Sequence, residues 1–347
     1  MTKITNVLPE QCTPGFEYLF VSKQSYRAYN SKLGVLKNVF ISHWGLMIKN
    51  GLMPLRTAEN LIGCYDNTFY FSHYKKALEQ FLVCKYGKSL PSLTFNDDAI
   101  YFTIHTPWFG YFSWFTSNLP RLIQIHEQFP QAILLLPEEI LQMKFVNQSL
   151  ALFPNLKIIE VKKSHHLFIR NYAFAQVKPW TSQFLLSELE QVRKICFDFL
   201  DKHYNSTFQS NLLYISRRKA KRRTITNETE VEEYLANKGF ISVCYEDLSV
   251  FDQMALTRQA RVLVSLHGAG LTNTIFMTSG NSVLELTPIP DKNYQFRFPF
   301  WRICDLLNIN YSVQFCKTVD KGEEDIYTRD VTVDMTEFRI NIERILQ

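Results

Sequence analysis

A chain of 347 residues is long enough for two domains, and its 46% of hydrophobic residues against 20% of charged ones excludes a disordered protein. The 38 lysine and arginine residues exceed the 33 aspartate and glutamate residues by only 5, which is too little for a dedicated nucleic-acid-binding protein. The 7 cysteines are scattered and form no C-x-x-C pair, so we expect reduced thiols in a cytosolic setting.

The sequence predicts neither a targeting segment nor a membrane span. Residues 1–11 are polar, which argues against a signal peptide, and the longest apolar run, 132–136, is too short to cross a bilayer. We therefore expect a cytoplasmic protein that contacts lipid, if at all, as a peripheral protein at the inner face of the membrane.

The first half of the chain predicts an α/β domain, residues 1–185. Apolar runs of strand length alternate with longer segments of helical period. The predicted strands are 38–42, 44–48, 99–103, 132–136, 157–161 and 168–175. The predicted helices are 74–85, 119–129 and 138–152, and a further helix that ends near residue 203 begins the second half.

The second half predicts a parallel, doubly wound sheet in a domain of residues 186–325. Five strands alternate with four helices, and right-handed crossovers are the connection that this pattern requires. The strands are 212–216, 241–245, 262–266, 282–286 and 311–315. The pattern also predicts a capping box at Asn227 and Glu230, a left-handed Gly239 and an N-cap at Ser249. An amphipathic helix at 335–346 lies in the remaining residues, 326–347.

The most informative stretch is the turn that follows the strand 262–266. His267, Gly268, Ala269 and Gly270 lead into a predicted helix that begins at Leu271. A strand, a small-residue turn and a helix aim backbone N–H groups and a helix dipole at an anion, and the two glycines are expected to allow positive φ and close approach. A plain tight connection is the alternative.

Two further groups are predicted at the same edge of the sheet. Ser216 and Arg217 end the opening strand of the domain, and a guanidinium there can bind a diphosphate in a bidentate way. Arg217 begins the run R-R-K-A-K-R-R, which could close over the anion or could be an ordinary solvated charge run. Glu285 ends the strand 282–286 and is expected to accept a hydrogen bond from a ribose hydroxyl.

Several catalytic and metal motifs are absent from the sequence. There is no H-E-x-x-H, no Asp-x-Asp and no Gly-x-Ser-x-Gly, and the adjacent His165 and His166 cannot both face one ion on a regular element. Gly268-x-Gly270 is similar to a truncated dinucleotide fingerprint, but two strands precede it and His267 stands directly before it. Both features argue against a nicotinamide-dependent oxidoreductase, which stays as the least favoured alternative.

Six blocks of the second half resemble glycosyltransferase family 61. They are L-L-Y-I-S-R-R, N-E-x-E-V, G-F, E-D-L-S-x-x-x-Q, H-G-A-G-L-T-N-x-I-F-M and V-L-E-L-x-P, within residues 211–290. The resemblance extends weakly to Trp114 and to Leu119, Pro120 and Arg121. It implies a GT-B fold, which consists of two Rossmann-like, doubly wound domains facing a cleft, with the C-terminal helix packed back on the N-terminal domain.

The resemblance also implies an inverting, metal-independent glycosyltransferase. Its partners would be a nucleotide-sugar donor and a surface polysaccharide or glycolipid acceptor, with no nucleic acid and no cofactor. The implied donor-binding residues are Ser216, Arg217, Arg222, His267, Gly268, Ala269, Gly270, Leu271, Asn273 and Glu285. The implied acceptor-binding residues are Trp108, Tyr111, Ser113, Trp114 and Ser117.

The chain departs from the family pattern at the place where a catalytic base is expected. The family has a histidine before the tryptophan and an acidic residue four positions later, and here Ser113 and Ser117 occupy those positions. An inverting transfer needs a general base near the acceptor hydroxyl, for which His105 is the first candidate, before Asp97 and Asp98. The departure also leaves open a catalytically degenerate protein that binds a nucleotide or a glycan.

Overall fold

A computed structural model describes residues 3–27, 29, 31–49, 67–87, 90–107, 109–176, 183–204, 211–290, 298–319 and 326–347. The chain divides into two compact units. Unit 1 comprises Tyr29–Ile195, and unit 2 comprises Thr2–Ala28 together with Cys196–Gln347. We had expected the boundary at 185/186 with all earlier residues in the first domain, whereas the structure assigns the N-terminal segment to unit 2.

The described residues form β-strands, α-helices and short π- and 3₁₀ helices. The strands are β1 Lys3–Thr5, β2 Gln11–Cys12, β3 Ser25–Arg27, β4 Leu33–Ile41, β5 Met47–Lys49, β6 Ser92–Phe95, β7 Tyr101–Phe102, β8 Ile133–Pro137, β9 Lys157–Val161, β10 His166–Ala175, β11 Leu212–Ile215, β12 Ile241–Val243, β13 Val262–Leu266, β14 Ser282–Pro288, β15 Asn310–Val319 and β16 Asp330–Thr332. The α-helices are α1 Tyr18–Val21, α2 Asn67–Leu82, α3 Tyr111–Ser113, α4 Leu119–Gln128, α5 Glu138–Leu141, α6 Lys144–Ser149, α7 Leu186–His203, α8 Glu228–Asn237, α9 Val250–Gln259, α10 Pro299–Leu306 and α11 Met335–Leu346. The π-helices are Val83–Gly87 and Trp114–Asn118, and the 3₁₀ helices are Leu150–Leu152, Tyr245–Asp247, Ala269–Phe276 and Ile326–Thr328.

The sheet of unit 1 is mixed. Its strand order is β5-β4-β10-β7-β8-β9, and β6 also pairs with β10. Strands β7, β8 and β9 are parallel to one another, whereas β4 is antiparallel to both β5 and β10. The α/β class is confirmed for this unit, but the expectation of a Rossmann-like, doubly wound first domain is wrong in this respect, because such a sheet is built from parallel strands.

The sheet of unit 2 has the parallel topology that the sequence predicts. Its order is β12-β11-β13-β14-β15-β16, with β2 also paired to β15. The neighbours from β12 to β15 are parallel, and only β16 is antiparallel, at the edge beside β15. All residues of β13 are buried, so both faces of the sheet are covered, as the near-continuous apolar run of a parallel strand requires.

The order of strands in unit 2 reverses between β11 and β13. The chain passes from β11 to β12 on one side, returns to β13 on the other side, and then continues outward to β14 and β15. Such a reversal leaves a crevice at the carboxyl ends of the two central strands, and open α/β sheets bind their ligands there.

Both ends of the chain pack within unit 2. Phe338, Ile342 and Ile345 of α11 belong to the same buried cluster as Tyr214 and Val264 of the sheet. The expectation that the C-terminal helix packs on the N-terminal domain is therefore wrong, because its apolar face is buried on unit 2. At the other end, β2 extends the sheet beside β15, with Gln11 opposite Ser312.

The helix ends confirm two of the three predicted capping features. Ser249 caps α9 and forms a capping box with Asp252, and Gly239 has a left-handed φ of +86° after α8. The capping box predicted at Asn227 is absent. The Asn227 side chain instead bonds the backbone of Val333, accepting at 3.0 Å and donating at 2.9 Å.

Candidate functional site

The residues predicted to bind an anion meet at the strand reversal of unit 2. Ser216 and Arg217 follow β11, and the turn from His267 to Gly270 follows β13. Strands β11 and β13 are parallel neighbours, with Ile215 opposite Ser265, so their carboxyl ends lie side by side. The sequence-based prediction that these two segments share one edge of one sheet is confirmed.

The two glycines serve close packing and not a left-handed backbone conformation. Gly268 has an extended backbone, at φ 162°, and Gly270 lies inside the 3₁₀ helix Ala269–Phe276. Neither residue adopts the left-handed conformation that we expected. A Cβ on Gly268 would lie 3.2 Å from Nη1 of Arg223, and a Cβ on Gly270 would lie 3.3 Å from Cγ2 of Ile215. The two glycines therefore allow close contact between the turn and the β11 segment, and the close approach of a phosphate or sugar stays a prediction.

Arg217 organises the loop that follows β11. Its Nε donates to the carbonyl oxygen of Arg223 at 3.2 Å, and its Nη2 donates to that of Arg222 at 3.1 Å. Nη1 lies 4.0 Å from a carboxylate oxygen of Glu246. These contacts curl the loop back on itself, so Arg217 shapes the loop as well as bringing a positive charge to the crevice.

Arg223 is the contact that sequence reasoning missed. Its Nη1 donates to the carbonyl oxygen of His267 at 2.8 Å and so joins the β11 loop to the β13 turn. Its backbone is in the left-handed region, at φ 58°. The run of six basic residues concealed this role, because composition alone does not distinguish one arginine of the run from another.

The other charges of the run are divided between ion pairs and solvent. Arg218 pairs with Glu232, and Lys219 Nζ lies 2.6 Å from a carboxylate oxygen of Asp247. Arg222 is exposed, as is Ala269 at the start of the 3₁₀ helix. Lys219 is a solvent-exposed charge, as the alternative interpretation of the run predicted, and its hydrogen bond to Asp247 raises its pKa. Arg217 and Arg223, at the two ends of the run, contact the backbone at the crevice instead.

The buried carboxylate of Glu228 holds the start of the loop that follows β11. Glu228, the first residue of α8, accepts from the backbone N–H of Arg217 at 2.7 Å, the Ser216 hydroxyl at 3.0 Å and the Tyr214 hydroxyl at 2.8 Å. Burial and the nearby carboxylate raise the pKa of Tyr214 well above its usual value. Since the Ser216 hydroxyl is buried and donates to Glu228, Ser216 holds the loop and does not present its side chain to a ligand.

His267 is held by Glu285 and Tyr311. The imidazole Nδ1 hydrogen-bonds to one carboxylate oxygen of Glu285, and the Tyr311 hydroxyl donates to the other at 2.6 Å. Burial and the Glu285 charge raise the pKa of Tyr311 well above its usual value. The expected role of Glu285 at a ribose hydroxyl is wrong, because the side chain is 1% exposed and both oxygens are engaged inside the protein.

Leu271 and Asn273 also support the turn from the inside. Both are fully buried, and the Asn273 amide donates to the carbonyl oxygen of Gly270 at 3.1 Å. The side chains of Leu271 and Asn273 are therefore enclosed in the protein, and donor binding by these two residues stays a prediction. Within the turn from His267 to Gly270, the exposed residue is Ala269.

In unit 1, His105 lies in the wall of a cavity of about 410 Å³. The side chain is 4% exposed, and burial, followed by the charge of Arg121, lowers its pKa to about 3. A general base works best when its pKa is near the working pH, so a neutral, weakly basic imidazole does not support the predicted catalytic role.

Asp97 and Asp98 occupy a different surface from this cavity. Asp97 accepts from the backbone N–H of Ala99 at 3.1 Å and from the Tyr101 hydroxyl at 2.8 Å, and Asp98 forms an exposed ion pair with Arg170. The structure does not bring the two aspartates together with His105. Their predicted part in the base is therefore not supported.

The predicted acceptor residues fall into three groups. Trp114 is 0% exposed and donates its indole N–H to the Ser149 hydroxyl at 2.8 Å, so the structure does not support its implied role in acceptor binding. Tyr111, Ser113 and Ser117 are half-buried in the helical segment that includes the π-helix Trp114–Asn118. Trp108 lies outside the described residues.

Three general features concern the described residues alone. The six described cysteines are free thiols, as expected. In this part of the chain, no group of three or more histidine, cysteine, aspartate or glutamate residues could hold a metal ion. None of the helices in the same part combines the length and the apolar character needed to cross a bilayer.

Comparison with known proteins gives one family and two kinds of relative. The model of the family Glycosyltransferase 61 matches residues 111–284. The EGF domain-specific O-linked N-acetylglucosamine transferase of Drosophila melanogaster is 38% identical over 85 residues, which are 24% of this chain and 16% of that protein. The protein O-linked-mannose beta-1,4-N-acetylglucosaminyltransferase 2 of Homo sapiens, like that of Pan troglodytes, is 31% identical over 124 residues, which are 34% of this chain and 21% of the relative. The matched stretches thus span about a fifth or less of the length of these relatives.

Proposed function

Because the chain belongs to glycosyltransferase family 61, we propose that it transfers a sugar from a nucleotide-sugar donor to a hydroxyl group of a glycan. The observation that carries this proposal is the crevice between β11 and β13 of unit 2, where the Arg217–Arg223 loop meets the His267–Gly270 turn. A nucleoside diphosphate suits this crevice, because a helix N-terminus offers backbone N–H groups and a positive dipole end to an anion.

We further propose a GT-B organisation, in which unit 2 binds the donor and unit 1 binds the acceptor. The parallel sheet of unit 2 and its strand reversal support the donor role. The α/β class of unit 1 is compatible with the second domain of such a fold, although its sheet is mixed.

The proposed transfer inverts the configuration at the anomeric carbon and uses no metal ion. The oxygen of the acceptor hydroxyl forms a bond to the anomeric carbon while the bond from that carbon to the diphosphate oxygen breaks, and the hydroxyl proton passes to a base. The nucleoside diphosphate leaves with the bonding electron pair and therefore gains negative charge. Arg217, the exposed Arg222 and the first N–H groups of the helix Ala269–Phe276 would stabilise that charge.

For the transferred sugar we propose N-acetylglucosamine, since both kinds of relative are named as transferases of this sugar. For the acceptor we propose a surface polysaccharide or a glycolipid. The relatives are named for protein-linked acceptors, an EGF domain in one case and O-linked mannose in the other. Transfer to a protein-linked glycan is therefore the competing outcome, to be tested with the same donor.

The first experiment measures thermal stability against UDP, GDP, CDP, ADP and NAD, each with and without EDTA. A ligand at a hundredfold excess over its dissociation constant stabilises the folded state by about 2.7 kcal/mol, which raises the melting temperature by a few degrees. We expect one nucleoside diphosphate to give this shift, with EDTA making no difference. A shift with NAD alone would overturn the proposal in favour of an oxidoreductase, and a shift that EDTA removes would overturn the metal-independent mechanism.

The second experiment removes one backbone donor from the turn. Ala269→Pro deletes the N–H at the first helical position, where proline is tolerated, and the extended Gly268 before it is compatible with a following proline. Losing a hydrogen bond to a charged group costs about 1.5–3 kcal/mol, so the dissociation constant of the diphosphate should rise about tenfold or more. Ala269→Ser keeps the N–H and should bind like the parent. Equal affinity in all three proteins would contradict the proposed site.

A further inference from the structure

A cavity of about 410 Å³ in unit 1 is built by four loops. His43 and Trp44 follow β4. His105, Thr106, Pro107 and Phe109 follow β7. Pro137 ends β8, and Glu139, Ile140 and Met143 come after it. Lys163 follows β9. Ligand pockets in proteins generally have volumes of about 300–1,000 Å³, so this cavity can hold a small organic molecule.

Two buried ring nitrogens in the cavity wall have no hydrogen-bond partner among the described residues, Nδ1 of His43 and Nδ1 of His105, and the more deeply buried ring is that of His105. The His105 side chain is 4% exposed. The ring hydrogen-bonds to the backbone of His43. The His43 N–H already donates to Nδ1 of His166 at 3.2 Å, so His105 donates its own N–H to the His43 carbonyl oxygen. Because the imidazole is neutral, Nδ1 then offers a lone pair for which the described residues supply no donor.

Apart from His43 and Thr106, the rest of the wall is apolar, with charged groups at its rim. Trp44 and Phe109 supply aromatic surface, and Ile140 and Met143 supply aliphatic surface. The exposed side chains of Glu139 and Lys163 add one acceptor and one donor at the entrance. A sugar ring has the complementary chemistry, because its faces carry C–H groups and its hydroxyls both donate and accept hydrogen bonds.

We propose that this cavity binds a saccharide of the acceptor, with one sugar hydroxyl donating to Nδ1 of His105. His105 is then a recognition residue and not the general base that the sequence suggested. The inference rests on the proposed glycosyltransferase function and specifies where unit 1 holds the acceptor. It also replaces Trp114, which is buried, with Trp44 and Phe109 as the aromatic groups that contact sugar.

The direct test is saturation-transfer difference NMR on the full chain without nucleotide. The probes are the methyl glycosides of N-acetylglucosamine, glucose, galactose and mannose. We expect at least one probe to receive saturation from the parent protein. Met143→Trp, which fills the cavity, should abolish the signal, whereas Gln142→Trp, at the exposed neighbouring position, should keep it. No signal from any probe with the parent, or an equal signal in both variants, would overturn the proposal.

A second pair of variants tests the hydrogen bond itself. His105→Asn keeps an acceptor and a donor in the side chain, whereas His105→Leu removes both. We expect the dissociation constant of the best probe to rise at least tenfold in His105→Leu and to be partly restored in His105→Asn. Equal weakening in both, with circular dichroism like that of the parent, would contradict the role of Nδ1.

The two proposals fail in distinguishable ways. Nucleoside diphosphate binding is measured separately, by the thermal shift assigned above to unit 2. A parent protein that binds a diphosphate but no saccharide would overturn the cavity proposal alone. A protein that binds a saccharide, loses it in Met143→Trp and binds no diphosphate would support the cavity and overturn the transferase.

Discussion

His267, Glu285 and Tyr311 form a chain of buried polar groups that crosses three neighbouring strands. His267 follows β13, Glu285 lies in β14 and Tyr311 lies in β15, so the hydrogen bonds run across the sheet. With Nδ1 engaged by the carboxylate, Nε2 is the nitrogen of His267 that can face the crevice. The carboxylate thus fixes the tautomer and orientation of an imidazole at the proposed donor site.

Substituting Tyr311 or Glu285 in this chain should destabilise unit 2, and the two effects should not be additive. Tyr311→Phe leaves one carboxylate oxygen without its donor, and Glu285→Gln weakens both contacts, so each should lower the free energy of unfolding by about 1–3 kcal/mol. The double variant should lose less than the sum, since the two groups share one bond. Urea unfolding monitored by circular dichroism measures this. Tyr18→Phe, at an exposed position, is the control, and strictly additive losses would contradict the coupling.

Two buried histidines of unit 1 predict how stability depends on pH. Burial lowers the pKa of His105 to about 3 and that of His166 to about 4. An unfolded histidine titrates near pH 6.5, so between about pH 6.5 and 4 the unfolded chain binds protons that the folded chain does not. The free energy of unfolding should therefore fall as the pH drops below about 6.5, by up to about 1.4 kcal/mol per pH unit for each histidine.

The measurement is urea unfolding at pH 7.5, 6.5 and 5.5 for the parent and for His105→Asn. The variant lacks one of the two titrating groups, so its stability should decline less steeply over this range. Identical slopes would show that His105 is not held in the neutral form by burial.

At the scale of single elements, the 3₁₀ helix Ala269–Phe276 packs against the helix α9. Asn273 of the 3₁₀ helix reaches Gln253 of α9, with its amide nitrogen 3.4 Å from the Gln253 side-chain oxygen. The start of α9 is fixed by the Ser249 and Asp252 capping box, to which the Tyr204 hydroxyl adds a bond of 2.9 Å. The cap therefore affects the position of the turn indirectly, through the contact between Gln253 of α9 and Asn273 of the 3₁₀ helix.

Ser249→Ala should lower the free energy of unfolding by about 0.5–2 kcal/mol, the usual effect of removing an N-cap side chain. Ser242→Ala, at an exposed position of β12, is the matched control and should have little effect. The two variants are compared by urea unfolding. A loss in the control as large as that in Ser249→Ala would mean that the cap contributes nothing specific.

The sequence predicts the elements of unit 2 better than those of unit 1 for a physical reason. Strands such as β13 are buried on both faces, so they read as apolar runs between turn residues. Strand β6 is short and largely exposed, and its S-L-T-F sequence carries no such signal, so it was missed. The antiparallel pairing of β4 was missed as well, because pairing direction leaves no mark on the pattern of one strand.

The errors at the candidate site have the same origin. Glu285 was placed at a strand end because the predicted strand stopped at Leu286, whereas β14 continues to Pro288 and encloses the residue. Trp114 was assigned to a sugar because aromatic residues serve both cores and sugar sites, and a one-dimensional pattern does not show which face is buried. The turn after β13 was predicted correctly, since its small residues reflect a local constraint.

At the scale of the whole molecule, the N-terminal segment is an integral part of unit 2. Phe20 is fully buried and packs edge-to-face on Trp301, with ring centroids 5.0 Å apart, and the Trp301 indole donates to the Val7 carbonyl oxygen at 2.7 Å. The Arg302 guanidinium donates to the Lys23 carbonyl oxygen at 2.9 Å. The segment therefore covers α10 and completes the core on that side.

Phe20→Ala should destabilise unit 2 by about 3–5 kcal/mol, the usual cost of deleting a buried aromatic ring. Tyr18→Ala is the control, because Tyr18 lies in the same short helix but is 64% exposed. Hydrogen exchange followed by mass spectrometry should show lost protection in β14 and β15 and unchanged protection in β8. Lost protection confined to β8 would contradict the assignment of the segment to unit 2.

This arrangement affects the order in which the two units can fold during translation. The Asn6 amide donates to a carboxylate oxygen of Asp305 at 2.7 Å, although 299 positions separate the two residues. During translation, β2 leaves the ribosome long before β15, so β2 has no partner strand until β15 has been made. Unit 1 has all its residues long before that moment and can fold as a unit, as domains do during synthesis. The sheet of unit 2 can be completed only after β15 has been made, so a nascent chain that ends before residue 310 lacks part of the sheet that carries the proposed donor crevice.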